Sequence, residues 1–142
     1  MIYIENLTFE KQVLVLRYLC KSEELEIIMW LFPESKVRSI CDINLTPRDT
    51  IEGEPVTIYN DGYVAYKTKR IKVTVDLLDK IQISKEQIFL NCDSLVLYRP
   101  NDKQWMASLI GNENIVMVND DSLLQIITNQ GFNATLQTPN WW

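Results

Sequence analysis

The 142-residue sequence concentrates carboxylates in two short stretches, Glu23, Glu24 and Glu26, then Asp49, Glu52 and Glu54. Such clusters suit recognition of a basic protein, because complementary charge speeds encounter and selects partners. A third stretch has the opposite sign. Tyr63, Tyr66, Lys67, Lys69, Arg70 and Lys72 interleave rings with cations, a pattern that can follow a phosphate backbone while bases stack. On a straight strand Lys67 and Lys69 face one side, and Arg70 and Lys72 the other. The four converge only if a turn intervenes near Thr68.

Each stretch also has an explanation that needs no ligand. Glu23, Glu24 and Glu26 fit the first turn of a helix, and Asp120-Asp121 a helix cap. Lysines along a strand edge keep that edge from pairing with other chains.

Catalytic constellations are thin. There is no histidine, which removes Ser-His-Asp triads, Cys-His pairs and imidazole metal ligands. Nineteen Asp and Glu residues contain no motif that selects a hydrolase pair. Asp120-Asp121 lacks the glycine and terminal glutamate of a calcium loop. Cys41-Asp42 and Cys92-Asp93 set a carboxylate beside each thiol, which raises its pKa and makes it a poorer nucleophile. With Cys20, these three widely spaced cysteines fit reduced, buried thiols better than disulfides or a metal site. The isolated glycines at 53, 62, 111 and 131 cannot build a phosphate or dinucleotide loop. No catalytic residue, metal or cofactor is expected.

The elements that would position these residues read as follows. Residues 2–4 form a short strand. Thr8 caps a helix with Phe9, Val13, Leu16 and Cys20 on one face. Ser22 caps a second helix, with Leu25, Ile28, Met29 and Phe32 as its apolar stripe and Pro33 as its end. Residues 34–41 are ambiguous, with a short helix one choice. The period then changes from 3.6 to 2. Val56 and Ile58 alternate with polar residues, and Asn60-Asp61-Gly62 makes a hairpin turn before Tyr63–Lys67. Ile71, Val73 and Val75 suggest a strand, and Asp76 the cap of a short helix. Ser84 and Gln87 have capping-box spacing, although Ile88-Phe89-Leu90 equally suits a strand. Three strands within 95–118 form a meander. A helix carrying Leu123, Leu124, Ile126 and Ile127 follows, ended by Gly131 in a left-handed conformation.

Helices first, an antiparallel sheet of four to six strands and a helix near the C-terminus give an α+β single domain over 1–142. Trp30 and Trp105 belong to its core. The terminal Trp141 and Trp142 suit docking on the chain's own surface or on a partner. No apolar run is long enough to span a bilayer, no secretory signal is evident, and a cytoplasmic location is expected.

In size, acidity, absence of an export signal and lack of catalytic signatures, the chain resembles bacterial immunity proteins of toxin–antidote pairs. The resemblance covers composition and layout over the whole chain and transfers no individual residue. It implies a non-catalytic module that binds and neutralises a basic, nuclease-like toxin domain. The net charge of −5 also makes nucleic acid an unfavourable partner. Two other readings differ in class: a small-ligand-binding protein or enzyme using the sheet face, and a nucleic-acid accessory factor acting through Tyr63–Lys72.

Overall fold

A computed structural model describes residues 1–47 and 66–141. The chain begins with strand β1 (Ile2–Ile4) and helix α1 (Phe9–Ser22). The Thr8 hydroxyl caps α1 by accepting from the Lys11 amide at 3.3 Å, and Phe9, Val13, Leu16 and Leu19 form its buried stripe. Both elements agree with the sequence pattern.

The second expected helix is instead a strand, β2 (Glu26–Leu31). Its sequence, EIIMWL, is apolar at five consecutive positions, and all five are buried. A helical stripe and a strand covered on both faces give the same apolar run, so periodicity does not separate them. β-branched Ile27 and Ile28 and aromatic Trp30 favour the extended form.

Next come β3 (Ser39–Ile40) and β4 (Ile43–Pro47), then β5 (Tyr66–Thr68), β6 (Ile71–Lys72), α2 (Val75–Ile83) and α3 (Lys85–Asn91). Residues 34–38 contain no helix. Thr74, not Asp76, caps α2 through a 3.1 Å bond from the Leu77 amide. The segment Ile88-Phe89-Leu90 is helical, and Ser84 precedes it without a side-chain capping bond. The expected meander is present as β7 (Cys92–Tyr98), β8 (Trp105–Ile110) and β9 (Ile115–Val118). Helix α4 (Leu124–Asn129) and β10 (Ala134–Thr135) follow, and Gly131 adopts φ +90°.

The fold is therefore α+β, with four α-helices and an antiparallel sheet of ten strands, rather than four to six, among the described residues. The order is β10-β1-β9-β8-β7-β2-β5-β4-β3, with β6 also paired to β2. The excess arises from pieces two or three residues long, too short to show a period of their own.

Register sorts the sheet into two apolar faces. Tyr3, Met117, Ser108, Val96 and Ile28 lie opposite one another across β1, β9, β8, β7 and β2. Ile4, Val116, Leu109, Leu95 and Met29 form the next row, on the opposite face. The latter row shares a core with side chains of all four helices, including Leu16, Leu78, Ile88 and Ile127. Trp30, Tyr98, Trp105 and Ile110 join the former face in a second cluster. Both expected core tryptophans are thus buried.

Gln12 joins α1 to the meander. Its Nε2 donates to the carbonyls of Ile110 and Ile115, each at 3.0 Å, at the two ends of the β8–β9 turn. At the C-terminus, Trp141 Nε1 donates to Glu5 Oε1 at 2.8 Å, while about half of the residue stays exposed.

Candidate functional site

Glu23, Glu24 and Glu26 meet basic side chains, Arg70 and Lys72 among them, at one end of the sheet. Glu23 ends α1 and Glu26 begins β2. Arg99 follows β7 and forms a fork with Glu23, Nε to Oε2 at 2.9 Å and Nη2 to Oε1 at 3.1 Å. The same Nη2 reaches Asp120 Oδ2 at 2.7 Å. Arg70 Nε binds Glu26 Oε1 at 2.7 Å, while its Nη2 donates to the Arg99 carbonyl at 2.6 Å and its Nη1 to that of Asp102. The Arg70 guanidinium also lies 4.7 Å from the centre of the Tyr98 ring, a cation–π distance. Lys72 Nζ lies 2.7 Å from Glu24 Oε1.

Every candidate acid of the first cluster is therefore paired with a cation of the same chain. Two of those cations, Arg70 and Lys72, belong to the candidate basic stretch. Cross-strand register explains the meeting: Glu26 lies opposite Lys72 where β6 pairs with β2. The electrostatics follow. Glu23 and Asp120 raise the Arg99 pKa further. The Ser122 hydroxyl, then Arg99, holds the Asp120 carboxyl below its usual value. Glu24 raises the Lys72 ammonium pKa.

The rest of the basic stretch does not converge. Lys67 is buried beside Trp30, with its ammonium 5.1 Å from the ring centre. β5 runs between β2 and β4 rather than along an edge, so the strand-edge explanation does not hold for Lys67, while Lys72 lies on β6, whose one described partner is β2. The turn foreseen near Thr68 separates β5 from β6, but it directs Arg70 and Lys72 to the glutamates. Lys69 and Tyr66 are exposed. Tyr63, Asp49, Glu52 and Glu54, with the turn at 60–62, lie outside the described residues.

Among the described residues no cluster of three His, Cys, Asp or Glu could hold a metal ion. Cys20, Cys41 and Cys92 are free thiols. Burial, then Glu23, pushes the Cys20 thiol up to about 11. Burial also raises Cys41 and Cys92, and the neighbouring aspartates anticipated from sequence contribute less.

Two surfaces have the size of binding sites. The first is the outer face of α1 and α2. Leu14, Val75 and Ile83 are 52%, 69% and 86% exposed there. Arg17 crosses between the helices to Asp79 Oδ1 at 2.7 Å and Gln82 Oε1 at 3.1 Å, and Lys85 reaches Glu10 at 3.4 Å. A hollow of about 520 Å³ lies on one side of the Arg17 bridge, lined partly by Glu10 and Ile83. A smaller one of about 270 Å³, lined by Cys20, Val73, Val75 and Leu78, lies on the other. The sequence did not single out this face, although a leucine at 14 and an isoleucine at 83 on the polar sides of their helices were a readable signal.

The second surface is a cleft of about 670 Å³ at the opposite end of the sheet from the arginines. Phe32, Lys36, Val37, Leu90, Asn91 and Asn112 are among the residues that line it. Its polar side chains already bond within the chain at Ser35 and Asn91, 2.8 Å apart. No family model, curated protein or solved structure matches the chain.

Proposed function

We propose that this chain is a non-catalytic protein-binding module that neutralises a partner, in the manner of an immunity protein acting on a basic, nuclease-like toxin domain. The observation that carries the reading is the α1–α2 face. Apolar Leu14, Val75 and Ile83 are exposed on these two helices, beside the ion pairs Arg17–Asp79 and Lys85–Glu10 that link them. Exposed apolar side chains interspersed with charged groups are a composition that protein interfaces use. A net charge of −5 supplies long-range attraction for a basic partner even where individual glutamates are paired.

The test is to express the product of the adjacent gene with and without this chain. A basic protein that is toxic alone, harmless with the chain and purified in complex with it supports the reading. The variant L14D/I83D then loses both protection and complex. A neighbouring product that is neither toxic nor bound overturns it.

A further inference from the structure

The β3–β4 hairpin has an anchored tip and open arms. Cys41 and Asp42 form its two-residue turn with φ of 48° and 62°, the paired left-handed conformation of a tight hairpin. Cys41 is buried in the main core, and Asp42 pairs with Lys80 of α2 at 3.2 Å. The ladder forms at Ile40↔Ile43 and Ser39↔Asn44, then stops. Where the next pairs would form, a pocket of about 320 Å³ separates Ser35, Lys36, Val37 and Arg38 from Leu45 and Tyr66.

We infer that this slot between the splayed hairpin arms receives an extended, acidic segment of a partner protein. Three observations select that occupant. Among the described strands, the ladder between β3 and β4 stops at Ser39↔Asn44, so an added chain entering between the arms can gain backbone hydrogen bonds there. Val37, Leu45 and Tyr66 give it apolar walls for alternate side chains. Lys36 and Arg38 are exposed at its rim, two residues apart, and make no ion pair among the described residues. Their spacing matches carboxylates at alternate positions of a strand. Glu34 lines the neighbouring cleft and not the slot, so no carboxylate among the lining residues offsets the two cations. Basic residues on a sheet edge also discourage self-pairing. That role does not require the arms to part around a pocket.

This surface is separate from the α1–α2 face and can fail without affecting that reading. The probe is a fluorescein-labelled peptide of alternating valine and glutamate, followed by anisotropy against the full chain. Saturable binding is expected, weaker by about tenfold or more in K36E/R38E and at high salt. The same peptide with N-methylated backbone amides should lose binding equally, a comparison that requires no mutation. A valine–lysine peptide should not bind. Failure of the glutamate peptide to saturate, indifference to K36E/R38E, or indifference to N-methylation overturns the proposal. So does stronger binding of an oligouridylate that K36E/R38E abolishes, which would make the slot a nucleic-acid site.

Discussion

Arg99 grips Glu23 through two parallel hydrogen bonds, at 2.9 and 3.1 Å, and so ties the end of α1 to the β7–β8 connection. The fork geometry makes this pair stronger than a single-contact surface ion pair. With 38% of the Arg99 side chain exposed, solvent screening limits the gain. Arg99→Ala should cost about 1–2 kcal/mol in urea unfolding. Arg99→Lys should recover less than half of that loss, because an ammonium cannot make the fork. Equal stability of Lys and Arg variants would show that charge alone matters.

The pairing with Asp120 gives the acid side of the stability curve its shape. The Ser122 hydroxyl and Arg99 lower the carboxyl pKa in the folded state. A depressed folded value contributes stability that is present above the unfolded value, near 3.9, and lost as pH falls through the folded one. Asp120→Asn should therefore lower stability at neutral pH and flatten the decline on acidification. Chemical denaturation from pH 7 down to about 2 measures it; parallel curves for the two proteins would remove Asp120 from that role.

Cys20 makes an alkaline counterpart. Its thiol is pushed up to about 11, first by burial and then by Glu23. At pH 8 the thiolate fraction should fall about two-hundredfold below that of an ordinary thiol, slowing disulfide-reagent labelling by a smaller factor because the more basic thiolate is the better nucleophile. The labelling rate of a protein retaining only Cys20 should rise with a midpoint near 11. Because the folded value is raised, the contribution is full below the unfolded value, about 8.5, and is lost as pH climbs through the folded one. A labelling midpoint near 8.5 would contradict this.

Gln12 is a buried connector with two acceptors, the carbonyls of Ile110 and Ile115. Gln12→Leu keeps the bulk but strips both carbonyls of their donor. The expected loss is about 1–3 kcal/mol. Hydrogen exchange should show the β8–β9 turn opening first; unchanged protection there would mean that the bonds do not secure it.

Gly111 begins that turn, and a Cβ there would sit 2.7 Å from Phe89 Cε1. Phe89 is braced edge-on against Phe9, with centroids 5.2 Å apart. Gly111→Ala should cost about 1–3 kcal/mol by overpacking. Phe89→Leu in the same background should restore part of it; no interaction between the two substitutions in a double-mutant cycle would contradict this.

Elements whose local signal agreed with their packing were legible. The Thr8 cap, the α1 stripe, the meander and the left-handed Gly131 all follow from short-range chemistry visible in sequence. β2 was not, because burial on both faces erased the alternation that marks a strand. That misreading carried the glutamates with it. A helix start explained Glu23, Glu24 and Glu26 locally, and the alternative left them to meet a partner. As residues leading into and beginning a strand, they face Arg99, Lys72 and Arg70. These are contacts between residues 44 to 76 positions apart, which no local pattern encodes. The apolar projection on α1 and α2 was hidden for a related reason. Leu14 and Ile83 each break the polar side of a helix, but only the packing of α1 against α2 brings them onto one surface.

On the proposed function, the α1–α2 face covers a toxic partner. The most direct measurement is survival of cells expressing the adjacent gene product together with the wild-type chain or with folded L14D/I83D. Survival with wild type and death with the variant are expected. Equal protection by both would contradict the assigned face, and death with both, or no toxicity to suppress, would contradict the function.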